Sequence, residues 1–385
     1  MYHNSFSLKI ILVLFLAIYN INTICFATPL SKDELTVMKE EILDLKNNTD
    51  NSEELKNQFQ ALLENLFLNR NSAILSKDTE GLKNFYDLTK KVGQWAYENE
   101  TTKIQYFSNW SEKQGAKFDR INSILKVKKV KEKEPNLFGV ICYVSTEFYY
   151  NYLDSPSEQN RFKLGTYHYL NLRKEGDRYI ITKEWYTDPL ADSLNLENIK
   201  SDEIKDYILS CKKPEFTINE RCQKAIDYAH TYCGVSDNEE FLFKYNPNYR
   251  NFNPEGGDCA NFASQILYEG GGFKKNDYWN YNKGDATKAW VNAQGFKNYI
   301  ISSGRGSYIA KGSYQETYKS AFQLRPGDIV AYEKKGRITH ISTVTGLDSK
   351  GYPLVTCHNT DRLLVPYDLG WSNKNIRFHF IDVYY

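Results

Sequence analysis

The spacing of apolar residues predicts two helical regions followed by four strands in the first half of the chain. Apolar side chains recur at helical spacing in Ser31–Leu68 and again in Thr79–Tyr97, so both ranges are predicted to be helical and amphipathic. Polar residues 47–52 are expected to divide the first region into two parts, with Ser52 capping the second part. The period then changes to two. This pattern predicts antiparallel strands over four ranges: Phe118–Val130, Leu137–Tyr152, Arg161–Arg173 and Tyr179–Trp185. Helices followed by strands indicate an α+β unit.

A polar connector separates this unit from a second one. Residues 189–215 are rich in acidic, Ser and Asn residues, which is typical of a linker. The prediction is therefore an N-terminal α+β domain over residues 28–188 and a C-terminal domain over residues 216–385. The C-terminal domain is predicted to begin with the helix Phe216–Tyr232.

One short segment of the C-terminal domain combines a glycine pair, a cysteine and the start of a predicted helix. Gly256 and Gly257 precede Asp258 and Cys259, and apolar residues recur at helical spacing after the cysteine. Unpaired N–H groups and the helix dipole at such a position favour the thiolate, which is the nucleophilic form. The same N–H groups can stabilise an oxyanion. Cys259 is therefore the candidate nucleophile, and Asp258 is expected to cap the helix.

A candidate base lies on a predicted β-hairpin further along the chain. His340 is near the start of the strand Ile338–Thr345, and a polar turn leads to the next strand, Pro353–Asn359. Antiparallel pairing would bring His358 or Asn359 close to His340, where either could orient the imidazole. Adjacent side chains point to opposite faces of a strand, so only one of the two can face His340. We favour His358 and leave Asn359 open.

The ordered motifs GGDCxNFxSQ, PGD, THxxxVT and HNTD resemble the putative amidase domain found in many secreted proteins of Gram-positive bacteria. That domain is similar to papain-like cell-wall peptidases and amidases of the CHAP and NlpC types. The resemblance covers about Phe216 to Tyr385, and it implies an α+β fold with a cysteine-bearing helix packed on an antiparallel sheet. It also implies that Cys259 is the nucleophile, His340 the base, and His358 or Asn359 the third residue.

Two further features are expected from resemblance and composition. Aromatic residues around a cleft can grip sugar or peptide, so Trp279 and Trp371 are candidate substrate-binding residues, together with Asp258 beside the nucleophile. The order of elements in the N-terminal unit resembles the cone-shaped fold of nuclear-transport-factor-like domains.

The start of the chain has the pattern of a secretory signal peptide. Lys9 precedes the apolar run Ile10–Tyr19, and small residues precede an expected cut near Ala27, so residues 1–27 are predicted to be a signal peptide. An uncleaved signal anchor is left open as the alternative. No later segment is predicted to span a bilayer. The mature protein is therefore expected outside the cytoplasmic membrane, secreted or associated with the cell wall, with peptidoglycan as its partner.

The net charge and the cysteine spacing give no indication of nucleic-acid binding or of a structural zinc site. The formal net charge is +1, so nothing indicates binding to nucleic acid. Six cysteines remain after the expected cleavage, and they lack CxxC pairs, so neither a structural zinc site nor a cofactor is predicted. A disulfide among Cys211, Cys222 and Cys233 is left open, as is the oligomeric state.

The leading hypothesis is a secreted cysteine amidohydrolase that cleaves amide bonds in peptidoglycan. Three alternatives remain open at this point. A thiol acyltransferase would use the same residues, and a zinc amidase could use His340, His358 and Asp361. A cell-wall-binding module that kept the fold and lost activity is the third.

Overall fold

The computed structural model describes residues 53–190 and 201–385. All of these residues belong to one compact unit. The predicted signal peptide, the first part of the first predicted helix and a part of the predicted linker lie outside the described residues. In the described ranges, no helix has the length and apolar character needed to cross a membrane.

The N-terminal half contains two long helices and four strands. They are α1 Glu53–Ser76, α2 Lys91–Gln114, β1 Ala116–Glu134, β2 Leu137–Tyr152, β3 Ser155–Glu175 and β4 Arg178–Tyr186. The four predicted strands are confirmed, and β1 to β4 pair in antiparallel order. The mixture of helices and antiparallel sheet confirms the α+β class, while the resemblance to a cone-shaped domain stays a prediction.

The predicted position of the second helix, Thr79–Tyr97, is wrong. Only a 3₁₀ segment, Glu80–Phe85, forms in the first half of the predicted range, and α2 begins at Lys91. Between them, the N–H of Asp87 donates to the carbonyl oxygen of Ile181 at 2.9 Å. The Asp87 carboxylate accepts the N–H of Thr89 at 3.1 Å. This pairing with β4 holds the chain extended, and the local apolar pattern cannot show it.

The C-terminal part contains shorter helices and the rest of the strands. They are α3 Asp202–Ser210, α4 Glu220–Tyr232, α5 Cys259–Gln265, β5 Tyr281–Asn282, β6 Asp285–Ala286, α6 Lys288–Val291, α7 Ala293–Ser302, β7 Gly306–Gly312, α8 Tyr314–Ala321, β8 Ile329–Lys334, β9 Arg337–Leu347, β10 Pro353–Cys357, β11 Arg362–Pro366 and β12 Ile376–Val383. Helix α4 begins where Asn219 accepts the N–H of Cys222 at 2.9 Å, which is a side-chain N-cap.

A single ten-stranded sheet runs through both halves of the described chain. Its order is β1-β2-β3-β11-β10-β9-β8-β12-β7, and β4 pairs with β3 beside that path. The join lies between β3 and β11, where Arg362 pairs with Leu164 and Leu363 pairs with Lys163. The predicted linker therefore does not coincide with an interruption of the sheet.

Buried polar contacts strengthen the same join. The ammonium group of Lys113 on α2 lies 2.5 Å from the Asp368 carboxylate, and both side chains are fully buried. Trp110 Nε1 and the Tyr352 hydroxyl donate to the same carboxylate at 3.2 and 2.9 Å. Helix α2 is thereby fixed to the loop that follows β11.

Cys211, Cys222 and Cys233 are free thiols, so no disulfide joins them.

Candidate active site

Cys259 occupies the first position of α5. The two glycines before it, Gly256 and Gly257, have φ values of 114° and 132°, in a region that residues with a Cβ rarely adopt. This turn delivers the cysteine to the start of the helix, and α5 then continues through a π-helical turn over Ile266–Gly270. The sequence prediction of a cysteine at a helix N-terminus is confirmed.

The Cys259 sulfur lies against the strand that carries His340. Burial raises the pKa of the Cys259 thiol to about 12, since only 6% of the residue is exposed. The backbone N–H groups of Ile341 and Ala260 interact with the sulfur and lower the pKa, but by less than burial raises it. The expected thiolate is therefore not the resting form, and the helix N-terminus alone does not activate the cysteine.

His340 is buried and is bonded through one ring nitrogen only. Its Nε2 lies 3.2 Å from the sulfur of Cys357, while Nδ1 is buried and has no hydrogen-bond partner in the described chain. The ring stacks on Trp371 with centroids 5.0 Å apart. Burial, and to a lesser degree the positive charge of Arg362, lowers the pKa of His340 to about 3. The imidazole is therefore neutral at physiological pH and a weak base while it stays buried, so its surroundings have to change before it can accept a proton.

No role at the site was predicted for Cys357. Strand β10 pairs with β9 so that Val355 lies opposite Val344 and Thr356 opposite Thr343. Directly opposed residues share a face, so Val355 and Cys357 share the face of Val344 and His340. The alternation along β10 could have identified Cys357 had the register been known. Cys357 also interacts electrostatically with Cys259, so two sulfurs and one imidazole converge at the end of β10.

His358 does not orient His340, contrary to the favoured expectation. Strand β10 ends at Cys357, and His358 points to the other face of the sheet. Its Nδ1 lies 2.6 Å from the Asp258 carboxylate and its Nε2 lies 2.7 Å from the carbonyl oxygen of Tyr232. Both ring nitrogens therefore lie within hydrogen-bond distance of fixed oxygen atoms.

Two aromatic rings hold His358 in place. Tyr245 and Phe262 stack on opposite sides of the imidazole, with centroids 3.6 and 3.7 Å away. Because Phe262 belongs to α5, this sandwich ties the helix of the candidate nucleophile to the end of β10. His358 is thus a structural partner of Cys259 rather than a member of its proton-transfer path.

Asp258 does not cap α5, contrary to expectation. It stands at the N-cap position, but its side chain accepts no hydrogen bond from the first turn of the helix backbone. One carboxylate oxygen accepts the N–H of Phe252 and the amide of Asn261, and the other faces His358. Both carboxylate oxygens of Asp258 are occupied by these contacts. They fix the residue just before Cys259 and leave neither oxygen available to bind substrate.

Of the remaining residues expected at the site, only Trp371 contacts His340. Trp279 is fully buried and donates to Ser264 Oγ at 2.9 Å, so it belongs to the core and does not form a substrate surface. Asn359 follows the strand with a φ of 69°, and no contact joins its side chain to His340. Trp371 is half-buried over the His340 ring, which places it at the site.

The zinc alternative required His340, His358 and Asp361 to come together. His340 is bonded to Cys357, whereas Asp361 accepts the Tyr245 hydroxyl at 2.5 Å near His358. Within residues 53–190 and 201–385, no three His, Cys, Asp or Glu side chains are grouped as metal ligands would be.

The fold and site together define an α+β protein with a cysteine–histidine cluster between a helix start and an antiparallel sheet. Residues 219–381 match the family model of the "Putative amidase domain". Residues 219–381 are therefore similar to this amidase family, and the match suggests amide-bond hydrolysis in general. The papain-like relationship stays a prediction.

Two proteins of Bacillus subtilis (strain 168), both described as uncharacterized, are similar to part of the chain. YhbB is 31% identical over 137 residues, which cover 32% of this chain and 39% of YhbB. YjcM is 30% identical over 153 residues, which cover 37% of this chain and 34% of YjcM. The chain thus spans less than two-fifths of either relative.

One solved structure also aligns with part of the chain. It is the intermembrane space region of the chloroplast protein ARC6, at 11% identity, covering 33% of this chain and 95% of that chain with a TM-score of 0.23. A score this low does not define a common fold.

Proposed function

We propose that the protein is a secreted cysteine amidohydrolase that cleaves amide bonds in peptidoglycan, with Cys259 as nucleophile and His340 as base. The observation that carries this proposal is that the Cys259 sulfur interacts with the backbone N–H of Ile341, the residue next to His340 on β9, in a domain that matches the amidase family. Peptidoglycan is the substrate suggested by the signal-peptide pattern and the cell-wall resemblance.

The reaction requires the thiol proton to leave before the sulfur attacks. His340 accepts the proton from Cys259, and the sulfur attacks the amide carbon to form a tetrahedral oxyanion. The first-turn N–H groups of α5 stabilise that oxygen. The carbon–nitrogen bond then breaks, and the departing amine takes the proton from His340. Water attacks the thioester, which yields a carboxylic acid and restores the Cys259 thiol.

The described state is a resting state of this cycle. Cys259, His340 and Cys357 are 6%, 1% and 1% exposed, so the reacting atoms are closed off from solvent. His340 directs Nε2 at Cys357 rather than at Cys259. Substrate binding therefore has to displace Trp371 from the imidazole and turn the ring toward Cys259. Entry of a polar substrate also reduces the burial that raises the Cys259 pKa.

The bond that is cut can be identified from the products. Purified peptidoglycan is incubated with the mature protein, and the soluble products are analysed by mass spectrometry for new amino groups and for sugar–peptide separation. We expect new amine termini with wild-type protein and none with Cys259→Ser. Intact peptidoglycan after prolonged incubation with wild-type protein would contradict the proposed substrate.

A catalytically silent wall-binding module is the second candidate, and one observation favours it. Both thiols of the cluster are buried with pKa values raised to about 12 for Cys259 and about 11 for Cys357. Such a module binds peptidoglycan equally well as the wild-type protein and as the Cys259→Ser variant, and neither protein releases a product.

An added amine distinguishes the acyltransferase alternative, because that enzyme would incorporate the amine into the product.

A further inference from the structure

A cavity of about 730 Å³ opens far from the cysteine–histidine cluster. Its walls come from the start of β3, the segment after α3, and the turn between β9 and β10. His340 lies near one end of β9, and the cavity is reached at the other end, through Leu347 and the turn that follows. Its volume is in the range of small-molecule binding sites.

The walls of this cavity are held by specific bonds. Asn160 on β3 and Ser349 in the turn exchange two hydrogen bonds of 2.9 Å, one through the Ser349 hydroxyl and one through its N–H. The neighbouring Asp348 accepts the hydroxyls of Tyr150 and Tyr152 at 2.9 and 2.6 Å. A cavity bounded by these bonds is preformed, so a ligand would bind without having to order its walls.

A close approach at Gly351 fixes the segment that carries the basic residues of the cavity. Gly351 has a φ of 81°, and a Cβ added there would lie 2.9 Å from Pro214 and 3.3 Å from the carbonyl oxygen of Lys212. The chain from Lys212 to Pro214 therefore packs directly on the turn. Lys212 and Lys213 are thereby anchored through their backbone while their side chains remain exposed.

The cations of the cavity differ in how they are neutralised. Arg161 pairs with Asp237 at 2.7 Å, and Lys350 pairs with Asp154 at 2.7 Å. Lys212 and Lys213 form no ion pair with any part of the chain that the structure describes. Glu158 is an exposed acid in the lining. Asp348 also lines the cavity without an ion pair, but it is buried and its carboxylate accepts the hydroxyls of Tyr150 and Tyr152. At the exposed rim, two unpaired ammonium groups therefore stand against one acid.

Part of the cavity wall is apolar. Leu347 and Leu354 are buried and Leu364 is half-buried, and all three line the cavity. We propose that this cavity is a binding site for a small ligand that joins an oxyanion group, carboxylate or phosphate, to an apolar body. The oxyanion pairs with Lys212 and Lys213, and the apolar body lies on the three leucines.

Cys211 provides a built-in reporter for this site. It lines the cavity and is half-buried, whereas the other five described cysteines are buried. The experiment measures the rate of maleimide labelling at Cys211 by peptide mapping, with hexyl phosphate, hexanoate, hexanol or inorganic phosphate added to the full-length protein. The readout requires no amide hydrolysis, so it stands apart from the proposed function.

We expect hexyl phosphate or hexanoate to slow labelling at Cys211, and the relative effect of the two identifies the preferred oxyanion. The double variant Lys212→Gln/Lys213→Gln should raise the half-protecting concentration about tenfold, as expected when a charge-assisted contact is lost. Lys90→Gln/Lys91→Gln is the matched control, because it removes two adjacent exposed lysines elsewhere and should leave protection unchanged.

Three results would overturn the inference. The first is labelling that none of the four compounds slows. The second is protection by hexanol equal to that by hexanoate and hexyl phosphate, which would mean that no oxyanion is recognised. The third is protection that persists unchanged in Lys212→Gln/Lys213→Gln.

Discussion

His340 and His358 lie eighteen positions apart in the same domain and have opposite environments. His358 uses both ring nitrogens, faces the Asp258 carboxylate and is stacked between two aromatic rings. His340 uses one nitrogen, faces a sulfur, and leaves Nδ1 buried without a partner among the described residues. Both residues are almost completely buried.

The difference separates a structural histidine from one that is free to react. A side chain whose donors are all satisfied by fixed acceptors stabilises the fold and has no proton to exchange at low cost. A neutral imidazole with an unsatisfied nitrogen beside the Cys357 thiol can change its hydrogen bonds, and it can accept a proton once its burial is relieved. We therefore assign chemistry to His340 and support of the Cys259 helix to His358.

The largest expected effect is on hydrolysis. Cys259→Ser and His340→Ala should each lower the rate of amide hydrolysis by about 10³-fold or more, because they remove the nucleophile and its base. The Tm of Cys259→Ser should stay close to that of wild-type protein, whereas the Tm of His340→Ala should fall because the substitution leaves a cavity beside Trp371. The hydrolysis rate is measured as the rate of product release from peptidoglycan, and Tm is measured by thermal unfolding. A His340→Ala protein that retains most of the wild-type rate would remove His340 from the mechanism.

The next effect is on stability and concerns His358. His358→Phe keeps a ring between Tyr245 and Phe262 but leaves the Asp258 carboxylate buried and unpaired, which should cost about 3–5 kcal/mol of unfolding free energy. Urea unfolding measures this cost. His340→Phe is the matched control and should cost less than about 1.5 kcal/mol, because the ring loses only its contact with Cys357. Equal costs for the two variants would contradict the comparison.

The pH dependence of Cys259 alkylation sharpens the comparison further. The Cys259 pKa is raised to about 12 and the His340 pKa is lowered to about 3, so only the thiol titrates above neutral pH. The thiolate fraction, and with it the alkylation rate, should rise about tenfold per pH unit from about pH 7 to 10. A plateau near the ordinary thiol value of about 8.5 would show that the sulfur is exposed or already activated.

The raised pKa of Cys259 also makes the free energy of unfolding depend on pH. A thiol whose pKa is higher in the folded than in the unfolded protein stabilises the fold below the unfolded value and loses this contribution as the pH rises toward 12. We therefore expect the free energy of unfolding to fall above about pH 9. The decline should become smaller in Cys259→Ala, which urea titrations at a series of pH values can measure.

The smallest expected effect is that of Cys357. Cys357→Ala removes the sulfur that His340 contacts, so the ring becomes free to turn toward Cys259. Hydrolysis should remain within about tenfold of wild type, and alkylation of Cys259 should become several-fold faster. Complete loss of hydrolysis in Cys357→Ala, with Cys259→Ser still active, would make Cys357 the nucleophile.

Local patterns were sufficient to predict the elements that carry the site. The glycine pair before Cys259, the helix after it and the hairpin bearing His340 are all visible as short-range signals, and the structure contains each of them. The four strands of the N-terminal half were predicted for the same reason, since alternation continues over more than ten residues in three of them and over a shorter range in Tyr179–Trp185.

Relations between distant segments could not be predicted in this way. Whether His358 or Cys357 meets His340 depends on strand register and on where β10 ends, and an irregularity between Leu354 and Val355 alters that register. The pairing of β3 with β11 joins segments about two hundred positions apart. Trp279 is core because Ser264 and its neighbours close around it, which no local pattern records.

Locating the covalent intermediate tests the central claim most directly. Wild-type protein is mixed with peptidoglycan fragments, quenched in acid to preserve thioesters, and digested for peptide mapping by mass spectrometry. The account predicts an acyl adduct on the peptide that contains Cys259 and its absence in Cys259→Ser. An adduct on Cys357, or hydrolysis that proceeds without any adduct on Cys259, would contradict it.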